Sequence, residues 1–208
     1  MVTEKNFIVF EGIDGSGKGT QIEMLKKYVA DNKKNNIVFT FEPTKQGEWS
    51  QKIDDVLSGK IKDISNEQRQ LLFILDRKDH IDKVIAPAIK KGMQVFCDRY
   101  FLSTLAYGSF RGETHWKTFW DNHKEIIGDK FIMPSKIIFF DIDSELAMTR
   151  IEKRNDAKSI FETLSNLKSI REKFLSIGSH FEGFTIIDGS GTPEEVFEKT
   201  KLALFEYL

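Results

Sequence analysis

Residues 7–21 read FIVFEGIDGSGKGTQ, and this stretch decides the fold. Four apolar residues typical of a β-strand are followed by a glycine-rich turn, a lysine and a segment that we expect to be helical. Gly12, Gly17 and Lys18 satisfy the first seven positions of the pattern GxxxxGK[ST], whereas Gly19 stands at the eighth, where a hydroxyl is usual. The stretch therefore predicts a strand, a phosphate-binding loop and a helix, in that order.

The residue types of this loop suit a polyphosphate. Gly12, Gly15 and Gly17 let the backbone come close to the ligand, with successive N–H groups pointing inward. A helix that begins near Lys18 adds unpaired N–H groups and the positive end of its dipole. Lys18 then places a positive charge at the outer phosphates. The alternative is a glycine-rich turn with an incidental lysine.

Five apolar runs of strand length are separated by longer segments of helical character; they cover residues 7–10, 37–41, 93–97, 137–140 and 185–187. This alternation predicts an α/β fold, a doubly wound five-stranded parallel sheet with helices on both faces, in a single domain over residues 1–208. Ligands of such sheets bind beyond the carboxyl ends of the strands. Polar or charged residues follow each run there, beginning with Glu11, Glu42, Asp98, Asp141 and Asp188.

Two helix starts are visible in the sequence. Ser65 and Gln68 form a capping-box pattern ahead of a long helical segment that reaches residue 89. Thr192 and Glu195 repeat the pattern, with Pro193 at the first helical position.

The bulk composition limits the classes of partner. Thirty-one Lys and Arg against 32 Asp and Glu give a net charge of -1, so no global field favours nucleic acid or an anionic membrane. The N-terminal residues lack a signal-peptide pattern, and no apolar run approaches the ~20 residues that span a bilayer. A single cysteine, Cys97, excludes an internal disulfide and favours a reducing compartment. We expect a cytoplasmic protein without nucleic-acid or membrane partners.

Phe73 and Arg77 lie four residues apart, so on a helix the ring and the guanidinium share a face. A flat ring can stack on a nucleobase, and a forked cation can bond a base carbonyl or a phosphate. The alternative is a core phenylalanine beside an Arg77 that pairs with Asp76 or Asp79.

Asp98 and Arg99 follow the third apolar run. An aspartate at a strand end can hold a magnesium-bound water, and an arginine there can clamp an oxyanion with two hydrogen bonds. The alternative is a buried pair between Asp98 and Arg99 that ties the strand to the next helix.

A basic segment over residues 150–162 is dense in charge and lacks a clear apolar face before Phe161. Such a run is often a solvated helix end, but after a strand of a phosphate-binding domain we interpret it as a mobile lid.

The four histidines and the cysteine show no compact spacing for a transition metal. His115 and His123 flank Trp116, Phe119 and Trp120, whose spacing is typical of a buried helix face. We interpret this segment as packing or a subunit interface, without a catalytic histidine.

Taken together, the chain resembles the thymidylate kinases, the phosphate-loop family that phosphorylates dTMP with ATP. The motifs that carry the resemblance are FEGIDGSGKGTQ, FTFEPT, LLFILDR, DRYFLSTLAYGSFRG, the basic stretch from Arg150 to Arg154, and IIDGS; they extend from residue 7 to about residue 197. The resemblance implies transfer of the ATP γ-phosphoryl group to dTMP, giving dTDP and ADP, with magnesium (Mg2+) as cofactor and a homodimer as the assembly.

The resemblance also implies roles for individual residues. The ATP phosphates would lie in the loop of Gly12, Ile13, Asp14, Gly15, Ser16, Gly17, Lys18, Gly19 and Thr20. The acceptor dTMP would contact Asp14, Glu42, Pro43, Phe73, Arg77, Arg99, Ser103, Thr104 and Tyr107. The catalytic cations would be Lys18, Arg99, Arg150 and Arg154, and Asp98 would hold the magnesium through water.

Within the acceptor site the implied roles are distinct. Phe73 would stack on thymine while Arg77 bonds a base carbonyl. Tyr107 would crowd the 2′ position of the sugar, Asp14 would reach the 3′-hydroxyl, and Arg99 would hold the acceptor phosphate.

The chain departs from the family pattern at three places. Phe41 stands where an arginine often precedes Glu-Pro, and Gly108 stands where a glutamine often follows Ala-Tyr. In the lid, Ile160 and Phe161 precede Glu162 where an arginine is common. Lys45 is a candidate replacement for the first, and Lys158 for the third.

Two other readings stay open from the sequence. One is a kinase of another nucleoside monophosphate or of a deoxynucleoside; Arg77 favours a base with a carbonyl, such as thymine or uracil. The other is a nucleotide-dependent switch without transfer activity, although the chain lacks the NKxD guanine signature.

Overall fold

A computed structural model describes residues 2–154 and 161–208. In chain order its elements are β1 (Val2–Glu11), α1 (Lys18–Asp31), β2 (Ile37–Phe41), α2 (Ser50–Leu57), α3 (Asn66–His80), a π-helical turn (Ile81–Ile85), α4 (Ala86–Lys90), β3 (Gln94–Asp98), α5 (Phe101–Ser109), α6 (Trp116–Ile127), a 3-10 turn (Gly128–Lys130), β4 (Ile132–Asp141), α7 (Ser144–Lys153), α8 (Leu164–Gly178), β5 (Phe184–Asp188) and α9 (Pro193–Ala203). None of the helices in these two ranges is long and apolar enough to cross a membrane.

The five strands form one parallel sheet in the order β2-β3-β1-β4-β5, which confirms the predicted fold class. The strand that carries the glycine-rich loop is central, between β3 and β4. The strands β1 and β4 each begin five residues before their apolar runs, because Val2 pairs with Ile132 and Thr3 pairs with Met133. Backbone pairing between these two segments extends both strands.

Apolar side chains cover both faces of the sheet, which is why the strands read as nearly continuous apolar runs. On one face the strand residues pack against α3, α5, α6 and α8, and on the other against α1 and α9. The first face is formed by Phe7, Val9, Val95, Cys97, Ile137 and Phe139, and the second by Ile8, Phe10, Phe96, Ile138 and Phe140.

Both predicted capping boxes are present. The Ser65 hydroxyl accepts a hydrogen bond from the Gln68 N–H, and the Gln68 side chain accepts one from the Ser65 N–H. The same exchange joins Thr192 and Glu195 at the start of α9. The long segment after Ser65 continues through the π-helical turn into α4, as predicted.

The acidic residues at and just beyond the ends of β4 and β5 stabilise the fold locally. Asp141 accepts two hydrogen bonds from Arg171, at 2.6 and 2.9 Å, and Asp143 caps α7. Asp188 accepts from the N–H and hydroxyl of Ser190, and these bonds hold the pKa of its carboxyl below the usual range. The carboxylates of Asp141, Asp143 and Asp188 are therefore used in contacts within the fold.

Candidate functional site

The glycine-rich loop connects β1 to α1 with backbone geometry that only glycine adopts freely. Gly15 has a φ of 81° and Gly17 a φ of 87°, both in the left-handed region. A side chain at Gly15 would also collide with the backbone carbonyl of Ala147. The N-terminus of α1 is thus presented to the cavity above the sheet.

A cavity of about 420 Å³ lies over this loop. Its lining contains eight of the nine predicted loop residues, and the ninth, Gly12, lies behind them, where its carbonyl accepts a hydrogen bond from Arg99 at 3.0 Å. All four predicted catalytic cations line the same cavity: Lys18, Arg99, Arg150 and Arg154. Positive side chains therefore surround the space that the loop amides face, as an anion site requires.

Lys18 forms an ion pair with Asp98 at the end of the neighbouring strand β3. Burial lowers the pKa of Lys18, as does Arg99, whereas Asp98 and Glu11 act in the opposite direction. Asp98 thus compensates the positive charge of the Lys18 ammonium next to the loop. A phosphate that takes the place of Asp98 would provide the same compensation.

The donor set suits a magnesium ion bound mainly by phosphates and water. Asp98 is the acidic residue next to Lys18, and its side chain is 27% exposed, so water can reach the carboxylate. A Cβ at Gly19 would meet no atom within 4 Å, so the position of the usual hydroxyl ligand is open space. Magnesium retains several waters and needs one or two carboxylates beside the phosphates. Asp98 fits that role through water.

Arg99 is held in a strained and specific geometry. Its φ is 66°, a left-handed conformation that costs a non-glycine residue about 1–3 kcal/mol. Its guanidinium donates to Asp14 at 2.5 Å and to the Ser103 hydroxyl at 3.2 Å. Asp98 and Arg99 thus take different partners, Lys18 and Asp14, rather than each other.

Glu11 organises the start of α5 from the end of β1. It is fully buried, and its carboxylate accepts hydrogen bonds from the Tyr100 N–H at 3.0 Å, the Ser103 N–H at 3.2 Å and the Ser103 hydroxyl at 2.6 Å. Burial raises the pKa of Glu11, against the lowering effects of Arg99 and these hydrogen bonds. Glu11 was predicted only as a polar residue at a strand end; its partners lie about 90 positions away.

A second cavity, of about 240 Å³, adjoins the first. All nine residues predicted for the acceptor site line it: Asp14, Glu42, Pro43, Phe73, Arg77, Arg99, Ser103, Thr104 and Tyr107. Five further lining residues were absent from that prediction: Leu57, Gln70, Tyr100, Phe161 and Glu162. Of these, Gln70 had a sequence signal, because it precedes Phe73 by three residues and shares its helix face.

Arg77 is buried in this cavity wall, with 2% of its side chain exposed. Its Nε and NH2 groups contact the Glu42 carboxylate at 2.8 and 2.6 Å, and its NH1 group contacts Thr104 at 3.1 Å and His123 at 2.6 Å. The alternative pairing with Asp76 or Asp79 is wrong, since Asp76 accepts from Thr44 and Asp79 pairs with Lys83.

His123 belongs to this polar network, which corrects its interpretation as packing or interface alone. The imidazole is fully buried, and its Nδ1 lies 2.6 Å from the carbonyl oxygen of Phe119. Because a carbonyl only accepts, Nδ1 carries the proton and Nε2 accepts from Arg77. Burial lowers the pKa of His123 well below its usual value, and the charge of Arg77 lowers it further.

His80 holds the opposite side of Glu42. Its Nδ1 lies 2.9 Å from the carboxylate, and its Nε2 lies 2.6 Å from the Thr40 hydroxyl. Glu42, His80 and Cys97 come within 4.8 Å of one another, a proximity that their sequence spacing did not indicate. These groups already have partners, since His80 bonds Glu42 and the Cys97 thiol donates to the carbonyl of Arg99.

A third cavity, of about 200 Å³, lies on the other side of the loop, towards α9. Its lining includes Gly189, Gly191 and Pro193 from the segment after β5. Arg150 lies between this cavity and the loop, and its NH1 donates to the carbonyl oxygens of Gly189 at 3.1 Å and Ser16 at 3.4 Å.

The segment predicted as a lid is described only at its two ends. Arg154 donates to Glu162 at 2.8 Å, and Phe161 packs edge-on against Tyr107, with ring centroids 5.0 Å apart. The candidate replacement Lys158, like Ile160, lies outside the described residues. Lys45, the other candidate replacement, pairs with Asp54 at the surface.

Gly108 lies against the ring of Phe119. A Cβ at this position would lie 2.5 Å from the Phe119 Cε2 atom, so the ring fills the space that a side chain would need. The carbonyl of Gly108 accepts from the Asn66 amide at 2.5 Å, which joins α5 to the start of α3.

Comparisons with known proteins point to the same family over most of the chain. A family model described as "Thymidylate kinase" matches residues 10–200. A thymidylate kinase from Akkermansia muciniphila is 36% identical over 202 residues, covering 95% of this chain and 90% of the relative. A thymidylate kinase from Carboxydothermus hydrogenoformans is 33% identical, covering 94% of each chain. A probable thymidylate kinase from Thermococcus kodakarensis is 35% identical, covering 97% of this chain and 98% of the relative.

Proposed function

The chain belongs to the thymidylate kinase family and is an ATP-dependent phosphotransferase, and we propose that it transfers the γ-phosphoryl group of ATP to dTMP across its three cavities. The observation that carries this proposal is the sharing of lining residues. Asp14 and Arg99 line both the acceptor cavity and the phosphate cavity. Gly17 and Arg150 line both the phosphate cavity and the third cavity. The cavities thus suit, in order, an acceptor nucleotide, the phosphates and the donor nucleoside.

In the acceptor cavity we assign the base to Phe73 and Arg77. The Phe73 ring is half-buried in the wall and can stack on a pyrimidine. Among the described residues, Arg77 directs four of its five N–H groups at Glu42, Thr104 and His123. The remaining N–H suits a base carbonyl. Since an arginine only donates, it favours thymine or uracil over a base that presents an amino group there.

With the base placed there, the sugar and the phosphate of dTMP lie near Asp14, Tyr107 and Arg99. The Tyr107 hydroxyl donates to Asp14 at 3.3 Å, and burial raises the pKa of Tyr107, so the phenol stays protonated. Asp14 can accept from the 3′-hydroxyl, and Tyr107 crowds the 2′ position. Arg99 holds the acceptor phosphate, while Pro43, Ser103 and Thr104 shape the wall.

On the donor side, the loop amides of residues 12–20 and Lys18 hold the β and γ phosphates. Asp98 would hold magnesium through water, and the ion would neutralise charge on these phosphates. No covalent protein intermediate is needed, since phosphoryl transfer depends on positioning and charge.

We assign the remaining catalytic charge to the segment over residues 150–162 acting as a lid. Arg150 touches the loop carbonyl of Ser16, and Arg154 lines the phosphate cavity. An arginine acting on the transferred group in cis contributes on the order of 10³-fold or more. Closure also excludes water and so limits ATP hydrolysis.

We further propose that the enzyme works as a homodimer in the cytoplasm, without nucleic-acid or membrane partners. The dimer rests on the family resemblance, and the molar mass in solution tests it. The reducing compartment is supported by Cys97, a buried free thiol.

The function is tested by measuring ADP formation from ATP with each of dTMP, dUMP, dCMP, dAMP and dGMP. We expect the highest kcat/KM with dTMP. Faster turnover of dAMP or dGMP would assign the chain to another monophosphate. Tight nucleotide binding without any phosphorylated product would identify a switch.

The assignment of Arg77 has its own test, the variant Arg77→Lys. The lysine keeps a positive charge beside Glu42, whose burial without a partner would be destabilising, but it loses the fork. The KM for dTMP should rise more than the KM for ATP. An equal rise in both would contradict contact with the base.

A further inference from the structure

We propose that Gln70 reads the edge of the pyrimidine base, as a specificity-determining residue of the acceptor cavity; this inference rests on the proposed function. Gln70 lines that cavity and is 1% exposed, yet its Nε2 has no hydrogen-bond partner among the described residues. Buried amides in folded proteins are normally paired, so an unpaired one in a cavity wall suggests a ligand as its partner.

The position of Gln70 on α3 supports this role. Gln70, Phe73 and Arg77 are at relative positions 0, 3 and 7 of one helix and therefore share a face. Gln70 and Arg77 are separated by about 10 Å along the helix axis, with Phe73 between them. A base stacked on Phe73 would thus have Arg77 on one side and Gln70 on the other.

The chemistry of a carboxamide matches that edge. Thymine presents a carbonyl on each side of its N3–H group. A carboxamide can donate to one carbonyl and accept from N3–H, whereas Arg77 can donate to the other carbonyl. The two side chains together would select the acceptor-donor-acceptor pattern of thymine and uracil.

The neighbouring helix α5 supplies hydroxyl groups to the same lining, but these already have partners. The Ser103 hydroxyl donates to Glu11, the Thr104 hydroxyl accepts from Arg77, and the Tyr107 hydroxyl donates to Asp14. Within the described lining, Gln70 is the residue with an unpaired amide.

The experiment compares Gln70→Met with the wild-type enzyme. Methionine has a similar shape but cannot donate a hydrogen bond, so the KM for dTMP should rise about tenfold with the KM for ATP unchanged. The melting temperature of the free protein should stay the same or rise, because an unpaired buried amide is removed. The gain in melting temperature on adding saturating dTMP should shrink.

The control is Gln51→Met, which removes an exposed amide on α2 whose partner is Asp55. An unchanged KM for dTMP in Gln70→Met, with activity on dTMP intact in the wild type, would overturn the role of Gln70 and leave the proposed function standing. A lower melting temperature in the free variant would also overturn it, since Gln70 would then already have a partner in the fold. Absence of wild-type activity on dTMP would overturn the proposed function itself.

Discussion

The substitution His123→Gln should remove a defined part of the pH dependence of stability. A glutamine can accept from Arg77 through its oxygen and donate to the Phe119 carbonyl through its nitrogen, so both hydrogen bonds of the imidazole are kept. The glutamine does not titrate. Comparison of the two proteins therefore isolates the protonation of His123 from all other groups.

The sign and size of the effect follow from the buried imidazole. In the folded protein His123 stays neutral, because burial and Arg77 lower its pKa well below 6.5. In the unfolded chain it takes up a proton near pH 6.5, so the unfolded state binds more protons in acid. Stability is lost as the pH falls through 6.5. Between pH 7.5 and pH 5.5 the loss is about 1.4 kcal/mol, or about 3–6 °C in Tm.

Urea unfolding at pH 5.5, 6.5 and 7.5 measures this loss in each protein. The wild type should lose about 1.4 kcal/mol more than His123→Gln between the two extremes. His180→Gln, which removes an exposed imidazole, controls for the substitution itself. The same pH slope in the wild type and His123→Gln would refute the assignment of His123 as a neutral partner of Arg77.

Three further predictions concern the phosphate cavity. Lys18→Ala should lower kcat on the order of 10²-fold or more, because a cation at the transferred phosphates is lost; near wild-type turnover would exclude the loop from catalysis. Arg154→Ala should lower kcat with small changes in either KM, whereas the exposed Lys168→Ala should leave kcat unchanged; equal effects would remove Arg154 from the lid role. Gly19→Ser should raise the free energy of unfolding by about 0.5 kcal/mol, since its Cβ meets open space in the first turn of α1, and a drop in Tm would contradict that geometry.

The fold was predictable because its signals are local. Strands covered on both faces appear as apolar runs, and capping boxes at Ser65 and Thr192 mark helix starts within four residues. The early starts of β1 and β4 were not predictable. Val2 and Ile132 join these strands by pairing with each other, and they are 130 positions apart in the sequence. The placement of the loop and Lys18 followed from a motif that specifies backbone shape.

The rest of the candidate site depends on contacts between distant parts of the chain. Arg77 meets His123 across 46 positions and Glu42 across 35, so neither partner could be chosen from spacing on a helix. The sequence offered Asp76 and Asp79 as partners because they are near in the chain. Arg77 instead pairs with Glu42, because both side chains are buried and the charge of a buried guanidinium must be compensated by a carboxylate.

The most direct test of the account is a crystal structure with dTMP and a non-hydrolysable ATP analogue bound. We predict that thymine stacks on Phe73 with a carbonyl at Arg77, that Arg99 contacts the dTMP phosphate, and that the analogue's outer phosphates lie in the loop of residues 12–20. Thymine in the cavity beside Gly189, or a dTMP phosphate out of reach of Arg99, would contradict the division of the three cavities between the two nucleotides.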